Sequence, residues 1–252
     1  MASGATGVVS QRFALFDLDG CLVDSRSAVA HGVNAALADA GLAPLTENEV
    51  ARFIGPPLHA IFDDILTSLR PAPGVNADDL VAAYRKIYGQ TKIALTTIVP
   101  GIHAALDGLS AAGVQLAVCT SKPEPLAIEL LAGLGLLQHF VSVNGPALSV
   151  RSEPKQKTLA RALRHLRVAT GAKDETVDAV MIGDRHHDIS AGRANGVATI
   201  GVTWGSGDAF ELQSAHADII INDPVKLPLA CQHALRLHAS RGKATKSSAQ
   251  ML

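Results

Sequence analysis

A short apolar run that stops at two acids, within residues 13–24, constrains the fold of this chain most strongly. Residues 13–16 are apolar, Asp17 and Asp19 follow with one residue between them, and Gly20 comes next. An apolar run of this length that ends at a turn is typical of a buried strand in a parallel sheet rather than of a helix. Ligands of open α/β sheets bind beyond the carboxyl ends of the strands. The two acids are therefore candidates for chemistry, and the competing interpretation is an ordinary Asp-Gly turn.

Residues 25–97 carry helical patterns and no strand pattern. The spacing of apolar residues predicts four helices, at about 26–40, from Thr46, at 58–69 and at 76–89. Thr46 and Glu49 have the spacing of a capping box, and Asn76 is a typical N-cap residue. We therefore expect an all-helical segment inserted soon after the first strand.

After Pro100 the sequence alternates between helical patterns and short apolar runs of strand length. This alternation is typical of βαβ units and predicts an α/β fold with a parallel sheet. Arg161 and Arg164 are expected on the solvent-exposed face of their helix. The strands are expected at 114–119, 179–184, 197–202 and 219–221, and the helices at 102–112, from 125, at 154–166, around 188–195 and at 225–237.

The composition limits the class of protein. The 252 residues carry a net charge of −1 and no basic patch, which argues against nucleic acid as a partner. No apolar stretch approaches the roughly 20 residues that cross a bilayer, and the first residues lack a signal-peptide pattern. Cys21, Cys119 and Cys231 are widely spaced and predict reduced thiols rather than disulfides or a zinc site. We expect a cytoplasmic protein, monomeric or homodimeric, with no membrane partner.

Polar residues follow three of the predicted parallel strands, so they should meet at one edge of the sheet. Several carboxylates at close range need a cation, and an oxygen-only ligand set suits Mg²⁺. Hydroxyl groups and a lysine beside the metal could hold an anion. These parts are the ones that phosphoryl transfer through an aspartyl-phosphate requires. The residues are Asp17 with Asp19, Thr120 with Ser121, and Asp184 with Asp188.

Four motifs in this order resemble those of the haloacid dehalogenase-like phosphohydrolases. They are DLDG at 17–20, CTS at 119–121, a lysine near Lys155 and GDRHHD at 183–188. FIGPPL at 53–58, with Asp24-Ser25 and VTWG at 202–205, looks most like the phosphoglycolate phosphatase and 5′-nucleotidase-like branch. The resemblance implies a three-layer, Rossmann-like core at 12–24 and 98–237 and a small helical cap at 25–97. We expect flexible termini at 1–11 and 238–252.

The resemblance also implies a reaction and a role for each motif residue. The chain would hydrolyse a small phosphorylated metabolite, such as phosphoglycolate or a nucleotide, with Mg²⁺ as cofactor. Asp17 would be the nucleophile, and Asp19 would be the general acid and then the general base. Asp17, the main-chain carbonyl of Asp19, Asp184 and Asp188 would surround the metal, with Asp188 in a supporting position, and Thr120, Ser121 and a lysine would bind the phosphoryl oxygens.

Three assignments within this scheme need separate arguments. Lys155 and Lys157 are both available as the motif lysine, and only one can face the site because they lie about 200° apart on a helix; we favour Lys155. Arg52 and the turn that begins at Gly55 are the candidates for substrate selection in the cap, with structural packing as the alternative. Cys21 stands where the family usually has threonine, and a thiol is a poorer hydrogen-bond donor.

Other interpretations remain open. A phosphomutase would use the same chemistry on a sugar phosphate, and a degenerate chain would only bind a ligand or a partner. His186 and His187 could suggest zinc, although a solvated or hydrogen-bonding role at a helix start is simpler. Trp204 with its neighbouring glycines could suggest a nucleotide-binding turn, although a plain loop is simpler.

Overall fold

The computed structural model describes residues 11–71, 73–170 and 178–249, which form an α/β structure with a helical insertion. The strands are β1 (Arg12–Phe16), β2 (Val23–Asp24), β3 (Thr97–Ile98), β4 (Val114–Cys119), β5 (Ser142–Asn144), β6 (Asp178–Gly183), β7 (Ala198–Val202) and β8 (Ile219–Ile221). The helices are α1 (Arg26–Asp39), α2 (Glu47–Ala51), α3 (Leu58–Leu69), α4 (Ala77–Thr91), α5 (Ile102–Ala111), α6 (Glu124–Gly133), α7 (Lys155–Thr170), α8 (His186–Ala194), α9 (Ala209–Ser214) and α10 (Leu227–Ala249).

Six parallel strands form the central sheet in the order β5-β4-β1-β6-β7-β8. Side chains of β1 alternate between the two faces, because Ala14 and Phe16 belong to one apolar cluster and Phe13 and Leu15 to another. Helices α5, α6 and α10 cover the first face, and α7 and α8 cover the second. The predicted three-layer, Rossmann-like α/β core is confirmed.

The carboxyl ends of the three central strands lie level with one another. Phe16, the last residue of β1, pairs with Val118 on β4 and with Ile182 on β6. Residues that follow these strands therefore emerge side by side at one edge of the sheet. This register positions the site described below.

Helices α1 to α4, called the cap below, have an apolar cluster of their own. Helix α1 packs against α2 and α4, and α3 packs against α4. Thr46 and Glu49 form the predicted capping box at α2, and Asn76 Oδ1 accepts a hydrogen bond from Asp79 N at 3.0 Å at the start of α4. The division into core and cap at 24/25 and 97/98 stays a prediction, which the separate apolar clusters support.

A two-stranded ribbon links the cap to the core. Val23 pairs with Ile98 and Asp24 with Thr97 in antiparallel fashion. The prediction that 25–97 contains no strand is therefore wrong at Thr97. Two residues per strand are too few to produce a periodic pattern, so only the closed structure reveals the ribbon.

The end of the chain differs most from the prediction. Helix α10 continues to Ala249, so the predicted end of the last helix at 237 is wrong, and flexibility of residues 238–249 stays a prediction. Alanine, lysine and arginine sustain a helix without an apolar stripe, which is why the pattern did not reveal it. The expectation of flexibility at 1–10 and 250–252 lies outside the described residues.

The two arginines of α7 that were expected to face solvent differ in exposure. Arg164 is exposed, as expected, whereas Arg161 is partly buried and donates to Glu153 Oε1 at 2.9 Å and to Gly145 O at 2.7 Å.

The short elements β5 and α9 were absent from the sequence-based prediction. None of the helices in the described residues is both long and apolar enough to span a membrane.

Candidate active site

The loop after β1 places the first acid at the sheet edge. Asp17 N donates to Ile182 O on the neighbouring strand at 2.8 Å, and Asp17 Oδ1 accepts from Leu18 N at 2.7 Å. Gly20 then turns the chain with φ of +83°, and a Cβ at this position would lie 2.4 Å from Asp184 Oδ2. Only glycine fits both the backbone conformation and this close approach.

Three buried carboxylates converge beside this loop. Asp17, Asp184 and Asp188 each offer an oxygen within 4.8 Å of the others, and their exposed fractions are 4%, 1% and 0%. Asp184 Oδ2 accepts from Ser206 N at 2.7 Å, and Asp188 Oδ2 accepts from Arg185 N at 3.0 Å. The oxygen Asp184 Oδ1 is buried and has no hydrogen-bond partner in the part of the chain that the structure describes.

The pKa values of these acids reflect their crowding. Burial, together with the charge of Asp188, raises the pKa of Asp17 to about 7, although Lys155 opposes the rise. Burial and the charges of Asp188 and Asp17 raise the pKa of Asp184 to about 8. A divalent cation would lower both pKa values, because its charge favours the ionised carboxylates. An all-oxygen donor set that includes the unsatisfied buried oxygen of Asp184 also fits Mg²⁺.

Lys155 joins the acids at the start of α7. Its Nζ lies 2.7 Å from Asp17 Oδ2 and also contacts Asp188 Oδ1. The neighbouring carboxylates raise the pKa of this lysine despite its burial, so it stays charged. Lys157 is exposed. The choice of Lys155 over Lys157 therefore agrees with the geometry. Asp17, Lys155, Asp184 and Asp188 are called the sheet-edge cluster below.

Asp19 lies apart from the sheet-edge cluster and faces the cap. Ser25 Oγ donates to Asp19 Oδ1 at 2.6 Å. Lys122 Nζ donates to the same oxygen at 2.9 Å and lies 2.8 Å from Oδ2. The two acids of the first motif thus have separate surroundings. Contact of the Asp19 carbonyl with a metal remains a prediction.

Lys122 was not among the residues assigned to the site from the sequence. Tyr88 Oη on α4 accepts from Lys122 Nζ at 2.6 Å, so this lysine connects Asp19 to the cap. Burial opposes its charge, but Asp19 and Tyr88 together raise its pKa. The available signal was its position directly after the hydroxyl residues that follow β4, at the same edge of the sheet.

The hydroxyl residues after β4 border the same cleft as Asp17. Thr120 is buried, its N donates to Asn144 O at 3.0 Å, and its Oγ1 accepts from Lys122 N at 3.1 Å. Ser121 is half-buried and also lines the cleft. Both remain candidates for binding phosphoryl oxygens.

The cap closes the cleft from the opposite side with different residues from those expected. Gly55 lines the cleft, with φ of +126° beside the Arg185 side chain, and its role in substrate selection stays a prediction. Arg52 does not line the cleft: it is exposed and borders a separate depression with Glu49 and Phe53, so this geometry does not support its assignment to substrate selection, which stays a prediction. The other cap residues in the cleft include Tyr84, Arg85 and Tyr88 on α4. These three residues and the turn at 55–57 are called the cap wall below.

The residues with competing interpretations have structural partners. His186 Nδ1 lies 2.7 Å from Glu211 Oε1, and its ring contacts that of His187. Trp204 Nε1 donates to Cys21 O at 3.0 Å. Cys21 is fully buried with Sγ 3.7 Å from Ile182 O, and burial raises the pKa of its thiol, so it stays protonated.

Comparison with known proteins gives a consistent family. Residues 14–202 match the family model of the haloacid dehalogenase-like hydrolases. Tyrosine-protein kinase PtkA of Mycobacterium tuberculosis is 36% identical over 212 residues, which cover 84% of this chain and 68% of that protein. A phosphoglycolate phosphatase of Cupriavidus necator is 33% identical over 215 residues, which cover 85% of this chain and 90% of that protein.

A solved structure extends this similarity to the fold. A predicted phosphatase from Clostridium acetobutylicum superposes with a TM-score of 0.78 at 27% identity. The superposition covers 89% of this chain and 99% of the other, so it includes the cap as well as the sheet.

Proposed function

This chain belongs to the haloacid dehalogenase-like hydrolase family, and on that premise we propose that it is a Mg²⁺-dependent phosphomonoesterase acting on a small phosphorylated metabolite. It is a phosphatase of the phosphoglycolate phosphatase-like branch. The sheet-edge cluster carries the proposal, because it combines buried acids that need a cation with a lysine 2.7 Å from Asp17. Such a cluster serves phosphoryl transfer better than a structural role.

The metal site in this proposal consists of Asp17, Asp184 and Asp188. When bound there, Mg²⁺ would neutralise the carboxylates and the charge of the phosphoryl group. The unsatisfied Asp184 Oδ1 supports this assignment, since a buried carboxylate oxygen without a partner is costly.

In the first step, an oxygen of Asp17 attacks phosphorus while the bond to the leaving alcohol breaks. Lys155, Thr120 and Ser121 hold the phosphoryl oxygens, and Asp19 gives its proton to the leaving oxygen. In the second step, water attacks the aspartyl-phosphate, Asp19 takes the proton from that water, and Asp17 and inorganic phosphate are released. Each acid therefore has one role in each half of the reaction.

Similarity to a tyrosine-protein kinase favours a second candidate, in which the phosphoryl group passes to a protein tyrosine rather than to water. The support is the 36% identity over most of this chain. The same aspartyl-phosphate could serve both reactions. The kinase would take the phosphoryl group from ATP, release ADP and pass the group to a tyrosine hydroxyl, whereas the phosphatase would take it from a phosphomonoester and pass it to water.

Phosphate release from a substrate panel tests the proposal. Full-length protein with Mg²⁺ is given phosphoglycolate, nucleoside monophosphates and sugar phosphates, with Asp17→Asn and a chelator as controls. We expect release from at least one compound and none in either control. The absence of turnover with every compound, or Asp17→Asn equal to the wild type, would contradict the proposal.

Two further readouts separate the alternatives. Isomerisation of a sugar phosphate that exceeds its hydrolysis would favour a phosphomutase. Transfer of label from ATP to a tyrosine peptide, with little release of phosphate from the panel, would favour the kinase activity.

A further inference from the structure

Arg85 is a cation in the cleft without an acidic partner. Its side chain lines the cleft from α4, and no carboxylate of the described residues lies within ion-pair distance of it. Its Nε is buried with no hydrogen-bond partner among those residues, and its Nη2 reaches Leu148 O only at 3.4 Å. A guanidinium group has five donors, and within the described residues the structure gives a partner to Nη2 alone.

The acids that line the cleft are engaged with other groups. Asp17 contacts Lys155, Asp19 contacts Lys122, and Glu153 accepts from Arg161 at 2.9 Å. Each of these three carboxylates is therefore paired with a cation other than Arg85.

Besides Lys122, the other basic side chains of the cleft, Arg151 and His59, also have an acidic partner. Arg151 Nη1 donates to both oxygens of Asp78, at 2.7 and 2.9 Å, and His59 Nε2 lies 3.3 Å from the same carboxylate. Arg85 is therefore the uncompensated cation among the described residues of the cleft wall.

The position of α4 brings this cation near the reacting group. Tyr88 Oη accepts from Lys122 Nζ, which in turn contacts Asp19. Arg85 precedes Tyr88 by three residues, so it lies on the same side of α4, one turn away. Asp19 and Arg85 both line this cleft, so a leaving group at Asp19 would share the cleft with Arg85.

We propose that Arg85 binds an anionic group on the leaving part of the substrate, so that the cleft selects phosphomonoesters that carry a carboxylate or a second phosphate. This inference rests on the proposed function, because it specifies the substrate class of the same site. The buried apolar residues Ile54 and Val29 also line the cleft, and low polarity strengthens an ion pair formed there. Selection in the cap thus belongs to α4 rather than to Arg52.

The test compares two phosphoesters of similar size that differ in charge: phosphoglycolate, which has a carboxylate, and ethyl phosphate, which has none. Binding is measured by calorimetry in an Asp17→Asn background, with and without Arg85→Met, so no turnover is needed. We expect Arg85→Met to weaken phosphoglycolate binding roughly 10- to 100-fold, as for loss of a charged hydrogen bond, and ethyl phosphate binding by less than about twofold.

Two variants serve as controls. Arg52→Met removes a cap arginine outside the cleft and should leave both affinities unchanged. Arg85→Lys keeps the charge and should recover part of the phosphoglycolate affinity, and Arg85→Gln, which removes the charge, replaces Arg85→Met if the latter does not fold. Equal weakening of both ligands, an unchanged affinity for phosphoglycolate, or no binding of either ligand to the parent protein would overturn the inference.

The experiment separates this inference from the proposed function. If Arg85 discriminates the two ligands but the wild type releases no phosphate from any compound, the substrate site stands and the hydrolase proposal fails. If the wild type hydrolyses both esters and Arg85→Met treats them alike, the hydrolase proposal stands and the role of Arg85 fails.

Discussion

The sheet-edge cluster and the cap wall face each other across one cleft, but they are built differently. Paired parallel strands position Asp17 and Asp184, helices α7 and α8 supply Lys155 and Asp188, and all four side chains are almost fully buried. The cap wall combines the turn at 55–57 with helix α4, which packs on α1 and is connected to the core by the hydrogen bond between Tyr88 and Lys122. The sheet-edge cluster, which lies at the edge of the sheet, suits chemistry that is common to all substrates. The cap wall suits selection among substrates.

The two regions also carry opposite charge imbalances. The sheet-edge cluster contains three carboxylates and one ammonium group, that of Lys155, which contacts Asp17 and Asp188. In the cap wall Arg85 has no acidic partner among the described residues. A metal ion would neutralise the excess negative charge of the sheet-edge cluster, and an anionic leaving group would neutralise the positive charge of Arg85. The uncompensated charge of each region therefore indicates the charge of its ligand. The predictions below test this division in order of decreasing effect.

Replacement of the cluster lysine should have the largest effect. Lys155→Met removes the cation that contacts Asp17 and Asp188, and kcat should fall about 10²- to 10³-fold, as for loss of a preorganised donor. Loss of one partner from a buried ionic group should also lower stability by about 3–5 kcal/mol. Steady-state kinetics and thermal denaturation measure both effects. Lys157→Met is the matched control, and equal effects of the two changes would contradict the account.

The crowded carboxylates should make the metal-free protein less stable as pH rises. The pKa values of Asp17 and Asp184 are raised to about 7 and about 8 by folding, whereas an unfolded chain releases these protons near about 4. Between these limits the folded state holds more protons than the unfolded state, so stability falls from about pH 4 to pH 8.

Calorimetry in the presence of a chelator checks this pH dependence. We expect the decline in Tm between pH 5 and pH 8 to be shallower in Asp184→Asn than in the wild type. Excess Mg²⁺ should raise Tm of the wild type more at pH 8 than at pH 5. If Tm of the two proteins falls equally with pH in chelator, the pKa of Asp184 is not raised by folding and the prediction is wrong.

Loss of the contact between cap and core should have a smaller effect. Tyr88→Phe removes the hydrogen bond to Lys122 but keeps the ring, so stability should fall by about 1 kcal/mol. We expect kcat/KM to fall about 3- to 10-fold because Lys122 and α4 are less firmly positioned. Tyr84 stacks on Tyr88 at a centroid distance of 5.0 Å, and Tyr84→Phe is the control that leaves the contact with Lys122 intact. An unchanged kcat/KM in Tyr88→Phe would remove this contact from the account.

The smallest effect is expected at the unusual residue of the first motif. Cys21→Thr offers a better donor to Ile182 O but adds a polar group to a fully buried position. These effects oppose each other, so kcat should change by less than about threefold. A tenfold increase in kcat would show instead that the thiol limits the enzyme.

The two regions also differ in how far the sequence predicts them. Acids and hydroxyls after buried parallel strands must meet at one edge, so the positions of Asp17, Thr120 and Asp184 follow from the strand pattern. The residues of the cap wall do not follow, because the face of α4 that meets the core depends on packing between distant segments. Arg52, which the sequence analysis proposed, borders a separate depression, whereas Arg85 reaches the cleft through tertiary structure.

Lys122 shows the limit within the core itself. Its place after β4 indicated the edge of the sheet, but its hydrogen bond to Tyr88 joins residues 34 positions apart. No periodic pattern encodes such a pair. The contacts of the sheet-edge cluster are therefore predictable in outline, and those that join it to the cap are not.

Identification of the phosphorylated residue tests the central claim most directly. Full-length protein turning over a substrate with Mg²⁺ is quenched in acid within milliseconds, and its peptides are analysed by mass spectrometry. The account predicts a phosphoryl group on Asp17, absent from Asp17→Asn. Phosphate on another residue, or steady turnover with no phosphorylated Asp17 at any quench time, would contradict it.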